Sequence, residues 1–250
     1  MYDDIRNLLL TISYKGTNYH GFQVQKNAIT ISQIVQEAIE SILNHKIELK
    51  GCSRTDVGVH ANMYCLSLKT FKNISCYNFV QALNTKLPYD ICAINCEDVD
   101  LDFHARYSCK KKEYIYKIWN EKFPSPFLFD LTYHYKHKID EKMLNLEAKD
   151  FIGTYDFRAF CNLKKVKNIN DTVRTIYDAE VIRDGSMVIF RVCGDGFLYN
   201  MVRIMVGTLL NINEGKIKQN TIKDIINSQN RKLAGKTAVA KGLYLNKVYY

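Results

Sequence analysis

Ile47-Glu-Leu-Lys-Gly-Cys-Ser-Arg-Thr-Asp-Val-Gly-Val-His-Ala-Asn-Met-Tyr-Cys-Leu-Ser-Leu68 decides how the first half of this chain is read. Two apolar alternating segments, Ile47 to Leu49 and Met63 to Leu68, enclose the stretch from Cys52 to Ala61, which therefore reads as a loop joining two strands. Three of its residues are able to do chemistry: Arg54, Asp56 and His60. Loops held by a rigid sheet commonly carry catalytic groups, and Gly58 lets the backbone approach a ligand closely. A solvated turn accounts for an Asp and a Gly equally well, so spacing alone leaves turn and active site both open.

Working outward, Leu8 to Tyr14 alternates as a strand, and Ile31, Ile34, Val35, Ala38, Ile39, Ile42 and Leu43 fall on one helical face. Thr30 with Gln33 forms a candidate capping box at the start of that helix. After the central strand pair (Ile47 to Cys52 and Asn62 to Leu68), Ser75 to Leu87 reads as a second helix stopped by Pro88, and Ile91 to Cys96 as a closing strand. The order strand, helix, strand, strand, helix, strand is that of a ferredoxin-like module.

An acidic patch, Glu97 to Asp102, separates residues 1–102 from 103–250, and the second half reads in the same order. Tyr107 to Trp119 is a strand and Ile139 to Phe151 a helix. Thr172 to Arg183 and Met187 to Cys193 form a hairpin turning at Asp184-Gly185. Leu198 to Ile212 is an apolar helix, Thr221 to Ser228 a short amphipathic one, and Gly242 to Tyr249 the last strand. The expected fold class is α+β: two ferredoxin-like modules joined into one extended antiparallel sheet, with helices on one face and the other face free for a ligand.

Lys plus Arg number 35 against 26 for Asp plus Glu, a net charge of +9 that favours a polyanionic partner. Tyr114 and Tyr116 near Lys112 and Lys117 place rings and cations at spacings that suit RNA, although tyrosine is also a good β former and core or edge packing is the commoner use of any one of them. Further positive clusters stand at Lys110 to Lys112, at Lys164, Lys165 and Lys167, and at Arg231, Lys232 and Lys236. The eight cysteines include no C-x-x-C pair, and several sit in apolar strand patterns, which points to reduced thiols in the cytoplasm. The first residues do not read as a signal peptide, and no apolar run approaches the roughly 18 residues of a membrane span. Arg203 interrupts an apolar helix face, where a guanidinium needs a carboxylate or phosphate partner. Asp56 would serve if the two modules meet there.

Taken together, Tyr14-Lys-Gly-Thr-Asn-Tyr-His-Gly-Phe-Gln-Val-Gln25, Ser53-Arg-Thr-Asp-Val-Gly-Val-His-Ala61, Phe103-His-Ala-Arg106, Lys112-Glu-Tyr-Ile-Tyr116, Gly196-Phe-Leu-Tyr-Asn-Met-Val-Arg203 and Gly242-Leu-Tyr-Leu245 resemble, in the same order, the tRNA pseudouridine synthases of the A family. The resemblance implies isomerisation of uridine to pseudouridine on the 3′ side of the tRNA anticodon stem-loop (tRNA positions 38, 39 and/or 40), by a homodimer needing no cofactor or metal. It implies that Asp56 is the essential aspartate, acting as nucleophile or as base at the ribose. It makes Arg203 the ion-pair partner of Asp56, Tyr114 the tyrosine packing on the uracil, and Arg54 the arginine that helps displace the target nucleotide. His60 belongs to the motif, with a chemical and a loop-fixing role both open. The chain departs from the family pattern at Lys15, Phe22, Ser53, Val57 and Asn200, where aspartate, tryptophan, glycine, alanine and histidine are usual.

Two other readings compete. A noncatalytic protein of two RRM-like modules has the same element order, but the RNP pattern is absent and simple binding needs no carboxylate at Asp56. A metal-dependent nuclease would use His134 and His137, whose spacing puts them on opposite faces of a strand.

Overall fold

The computed structural model describes residues 5–162 and 171–250, which divide into two compact units. Residues up to Lys110 together with Tyr244–Tyr250 form the first, and Lys111–Leu243 the second. Both are α+β with mainly antiparallel sheets.

In the first unit the elements are β1 (Arg6–Tyr14), α1 (Ile31–Leu43), β2 (Lys50–Gly51), β3 (His60–Thr70), α2 (Cys76–Asn84) and β4 (Ile91–Val99). The sheet order β4-β1-β3, with β2 on the far edge of β3, is that of a split βαβ module. Leu8, Leu10 and Ile12 of β1 face the same side as Leu68, Leu66 and Tyr64 of β3, their register partners, and all six are buried. Ile31, Val35, Ala38, Ile39 and Leu43 form the buried face of α1, a stripe worth about 1.5 to 3 kcal/mol per large side chain. Thr30 caps α1 by accepting the Gln33 N–H at 3.4 Å. The return half of the expected box is missing, because the Gln33 amide donates to Glu37 one turn on.

Two strand boundaries and the expected bare face of the sheet differ from expectation. Segment 47–49 is not strand; β2 is only two residues long, and the last strand, β10 (Leu243–Tyr249), runs parallel to the other end of β3, with Tyr244 and Leu245 beside His60 and Ala61. Strand β4 continues into the acidic patch as far as Val99, because Asp98 is held by Arg6 across the sheet. The second face of the first unit's sheet is partly covered. Asn7 donates to the carbonyls of Asp100 and Phe103, Ser67 accepts the Ala105 N–H, and Tyr250 donates to the Ala105 carbonyl.

The second unit contains β5 (Lys111–Trp119), β6 (Tyr133–His134), α3 (Glu141–Lys149), β7 (Gly153–Asp156), β8 (Val173–Asp184), β9 (Met187–Gly194), α4 (Met201–Asn213) and α5 (Ile222–Ser228). Its strands run in the order β5-β9-β8-β7, with β6 beside β5. The β8–β9 hairpin pairs Asp184 with Met187, so the turn is Gly185-Ser186, one residue later than expected, with Gly185 at φ +55. Strand β5 begins at Lys111 rather than Tyr107, since Tyr107 and Ser108 lie in the turn that crosses the first unit. Helix α4 begins three residues later than the apolar pattern, after Asn200 at φ +63. Arg203 therefore lies on the first turn of α4.

Candidate active site

The loop between β2 and β3 is clamped by side chains and backbone from its own unit. Tyr64, fully buried on β3, donates its hydroxyl hydrogen to the Ser53 carbonyl, and Phe22 stacks on the Tyr64 ring at 4.1 Å. The hydroxyls of Tyr14 and Thr55 lie 2.8 Å apart, and the Phe22 N–H donates to the Thr55 carbonyl. His60, only 1% exposed, accepts the Gly16 N–H on Nδ1 at 2.9 Å and lays its ring 4.6 Å from Tyr244. Two glycines make this approach possible. A Cβ on Gly16 would stand 2.0 Å from the Val59 carbonyl oxygen, and one on Gly21, at φ +82, 2.5 Å from that of Thr55.

What this clamp leaves at the surface is the tip. Arg54 and Val57 are exposed, and Asp56 and Gly58 half-buried, with Gly58 at φ +76. The Val59 N–H closes the turn onto the Asp56 carbonyl at 3.2 Å. Asp56 is thus an acid on a short turn whose neighbours Thr55 and Val59 are buried.

In the second unit, Arg203 is fixed by two hydrogen bonds: Nε donates to the Ala238 carbonyl at 2.7 Å, and one terminal nitrogen to Asn200 Oδ1 at 3.1 Å. Ala238 returns its N–H to the Arg203 carbonyl at 3.0 Å. The segment carrying Ala238 crosses α4 at Gly207, where a Cβ would meet the Lys236 carbonyl oxygen at 1.7 Å. Thr208 accepts the Gly235 N–H and donates to the Ile204 carbonyl. Arg231 binds the carbonyls of Ala234 and Gly235 and the Thr237 hydroxyl, and burial lowers its pKa. It is a fastener of this segment rather than part of an open basic patch. Tyr114 on β5 is buried with its ring edge-on to Phe197 at 5.0 Å. Tyr116, two residues on and facing the same side, is fully buried, donates to the Val239 carbonyl, and has its pKa pushed up by desolvation. Tyr116 is core and offers no surface for a base to stack on, so of the two uses its place on a strand allowed, packing is the one taken.

A model of the tRNA pseudouridine synthase family matches residues 10–108 and 148–250. The chain belongs to that family. It is 47% identical over 246 residues to the tRNA pseudouridine synthase A of Acetivibrio thermocellus, covering 98% of this chain and all of the relative. It is 44% identical to that of Clostridium acetobutylicum and 41% to that of Thermoanaerobacter sp. (strain X514), again over 98% of this chain and the whole of each relative. Members of the family are isomerases that convert uridine to pseudouridine in tRNA, which rules out both the RRM-like binder and the nuclease as readings of the whole chain.

Four of the five departures from the family pattern fit their surroundings. Ser53 takes ordinary negative-φ backbone, so the usual glycine is not needed there. Phe22 supplies the ring that stacks on Tyr64, Val57 is exposed, and Asn200 adopts the left-handed conformation that asparagine tolerates while holding Arg203. Lys15 is tied by its N–H to the Asp90 carbonyl. The His134 Nε2 lies 2.9 Å from the Glu121 carbonyl and His137 packs on Tyr135. Among the described residues no three His, Cys, Asp or Glu side chains converge as a metal site. The cluster Lys164, Lys165 and Lys167 lies outside the described residues. The motif readings did not pick out Gly207, Gly235 and Ala238. Only Gly207, an isolated glycine in an apolar helix, carried a signal of close packing.

Proposed function

We propose that this chain isomerises uridine to pseudouridine on the 3′ side of the tRNA anticodon stem-loop, with Asp56 as the reacting carboxylate. The observation that supports this most is the clamp around the 52–59 loop, which buries its neighbours and leaves one acid at the tip. In the reaction the bond from ribose C1′ to uracil N1 breaks, the ring turns, and C1′ bonds to C5. The C5 proton is lost and N1 gains one. Substrate and product have the same composition, so the step needs no external electron or group donor.

Asp56 acts ionised, either attacking C1′ or removing a ribose proton. Arg203, which the family resemblance assigns as the ion-pair partner of that aspartate, is supported in that role by its fixing to Ala238 and Asn200. Tyr114 packs on the uracil, and exposed Arg54 helps hold the nucleotide out of its stack. His60 has the role of positioning the loop, supported by its burial and its bond to Gly16.

The working species is a homodimer in the cytoplasm. Support for a partner surface comes from Phe123, Phe127 and Phe129, exposed by 70%, 87% and 69% on the segment between β5 and β6. Support for a reducing compartment comes from eight cysteines that form no disulfide with one another. No helix among the described residues is long and apolar enough to cross a membrane. The net charge of +9 suits a tRNA partner.

Mass spectrometry of tRNA after selective labelling of pseudouridine, with wild type beside Asp56→Ala, tests the reading. The variant is expected to bind tRNA with unchanged affinity and to form no pseudouridine. Equal modification by both proteins would remove Asp56 from the chemistry, and sedimentation at working concentration reports the dimer.

A further inference from the structure

Far along the first unit's sheet from the Asp56 loop, a second cluster of reactive groups has no part in the isomerisation. Arg6 grips both carboxylate oxygens of Asp98 at 2.8 Å, donates to the Ile74 carbonyl at 2.7 Å, and reaches Cys76 Sγ at 3.9 Å. Cys76 is the first residue of α2, with Ser75 as its cap, and its thiol donates to Asp98 Oδ2 at 3.6 Å. Cys96 precedes Asp98 by two residues on β4, so both side chains leave the strand on the same face, the one that meets α2. Cys76 and Cys96 thus both border Asp98, and the Cys76 thiol adds to burial in holding the Cys96 thiol pKa up. Cys76 is partly exposed, while Cys96 is 7% exposed and its thiol pKa is raised by burial.

We propose that Cys76 and Cys96 form a peroxide-reactive pair that closes to a disulfide joining the start of α2 to β4. Hydrogen peroxide reaches the partly exposed sulfur first. The Cys76 sulfur attacks one peroxide oxygen, the O–O bond breaks, and hydroxide leaves with the thiol proton as water; Cys76 becomes a sulfenic acid. The Cys96 sulfur then attacks the Cys76 sulfur, the S–O bond breaks, and hydroxide departs with the Cys96 proton as a second water. Two electrons pass from the thiol pair to one peroxide, and a thiol reductant reverses the step. Arg6 and Asp98 are positioning residues that keep the Cys76 sulfur over β4 rather than turned to solvent.

The test treats the full chain with graded hydrogen peroxide, blocks remaining thiols by alkylation, and maps peptides by mass spectrometry. The expected product is a Cys76–Cys96 cross-linked peptide, two hydrogens lighter than the sum of its parts and lost on adding dithiothreitol. Cys96→Ser is expected to stop at a Cys76 sulfenic acid that dimedone traps, and Cys76→Ser to leave Cys96 free for alkylation after denaturation. Arg6→Lys, which keeps the charge but loses the forked grip on Asp98, is expected to lower the cross-link yield severalfold. The proposal is overturned if Cys76 and Cys96 both remain alkylatable when exposed Cys92 is already oxidised. It is equally overturned if Cys76 links to another cysteine, or if the Cys65 and Cys109 peptides cross-link in its place.

Discussion

Replacing Gly16 with alanine adds one methyl group where the turn after β1 lies against the Asp56 loop. The new Cβ would sit 2.0 Å from the Val59 carbonyl oxygen, 2.7 Å from its carbon and 3.2 Å from its nitrogen. All three are backbone atoms, so no rotamer change relieves the overlap. Contacts below 3.0 Å are not tolerated, and the two segments must separate by at least about 1 Å. Val59 N–H is bonded to the Asp56 carbonyl, so the displacement passes to the carboxylate's own residue. The same change pulls the Gly16 N–H away from His60.

A misplacement of about 1 Å at a reacting group costs on the order of 100-fold in rate, and overpacking of this kind costs roughly 1–3 kcal/mol of stability. Single-turnover pseudouridine formation on an anticodon stem-loop transcript, with filter binding for affinity and urea melts for stability, separates the effects. The expectation is a fall of about 100-fold in rate with affinity held within about twofold. Gly185→Ala is the control: nothing lies within 4 Å of its Cβ, its φ is +55, and it is expected to lose about 1 kcal/mol with the rate unchanged. Wild-type turnover by folded Gly16→Ala would refute the claim that this glycine sets the position of Asp56.

Other perturbations probe the second unit and the surface. Gly207→Ala places a Cβ 1.7 Å from the Lys236 carbonyl and lifts the segment that holds Arg203, so a loss of about 3 kcal/mol or more is expected in urea melts, with activity falling at temperatures where the chain stays folded. Tyr116→Phe removes the donor to the Val239 carbonyl from a fully buried site and is expected to cost about 1–3 kcal/mol. Glu40, bonded to Lys46 and Gln36, has its carboxyl held down at about 2, below its ordinary 4.5. A depressed acid stabilises the fold fully above about pH 4.5 and loses that contribution as pH falls toward 2. Glu40→Gln is expected to flatten the acid limb of the stability profile, measured by melts at stepped pH; an unchanged limb would rule Glu40 out as its source.

Local pattern carried much of the fold. The apolar stripe of α1, the cap at Thr30 and the order of elements in the first unit follow from periods of 3.6 and 2 that depend on nearest neighbours along the chain. Asp56 and Arg203 stood out as candidates in the same way, because their chemistry is unusual for the places they occupy. Where expectation and structure part, the competing force is tertiary. For Tyr116 the sequence left stacking and packing both open, and burial was decided by a hydroxyl that finds the Val239 carbonyl. Arg231 reads as surface charge and instead ties down its own loop.

The type of each residue and its neighbours in the chain thus determined which segments are helix or strand and which acid stands apart from the core pattern. How that acid is held was decided by contacts between segments far apart in sequence: Gly16 with Val59, Tyr14 with Thr55, Tyr64 with Ser53, and the last strand laid beside His60. The same holds for Ala238 reaching Arg203 across Gly207. Those contacts depend on backbone carbonyls and on the absence of a Cβ, and a carbonyl is common to every residue, so no residue letter announces which one will be used.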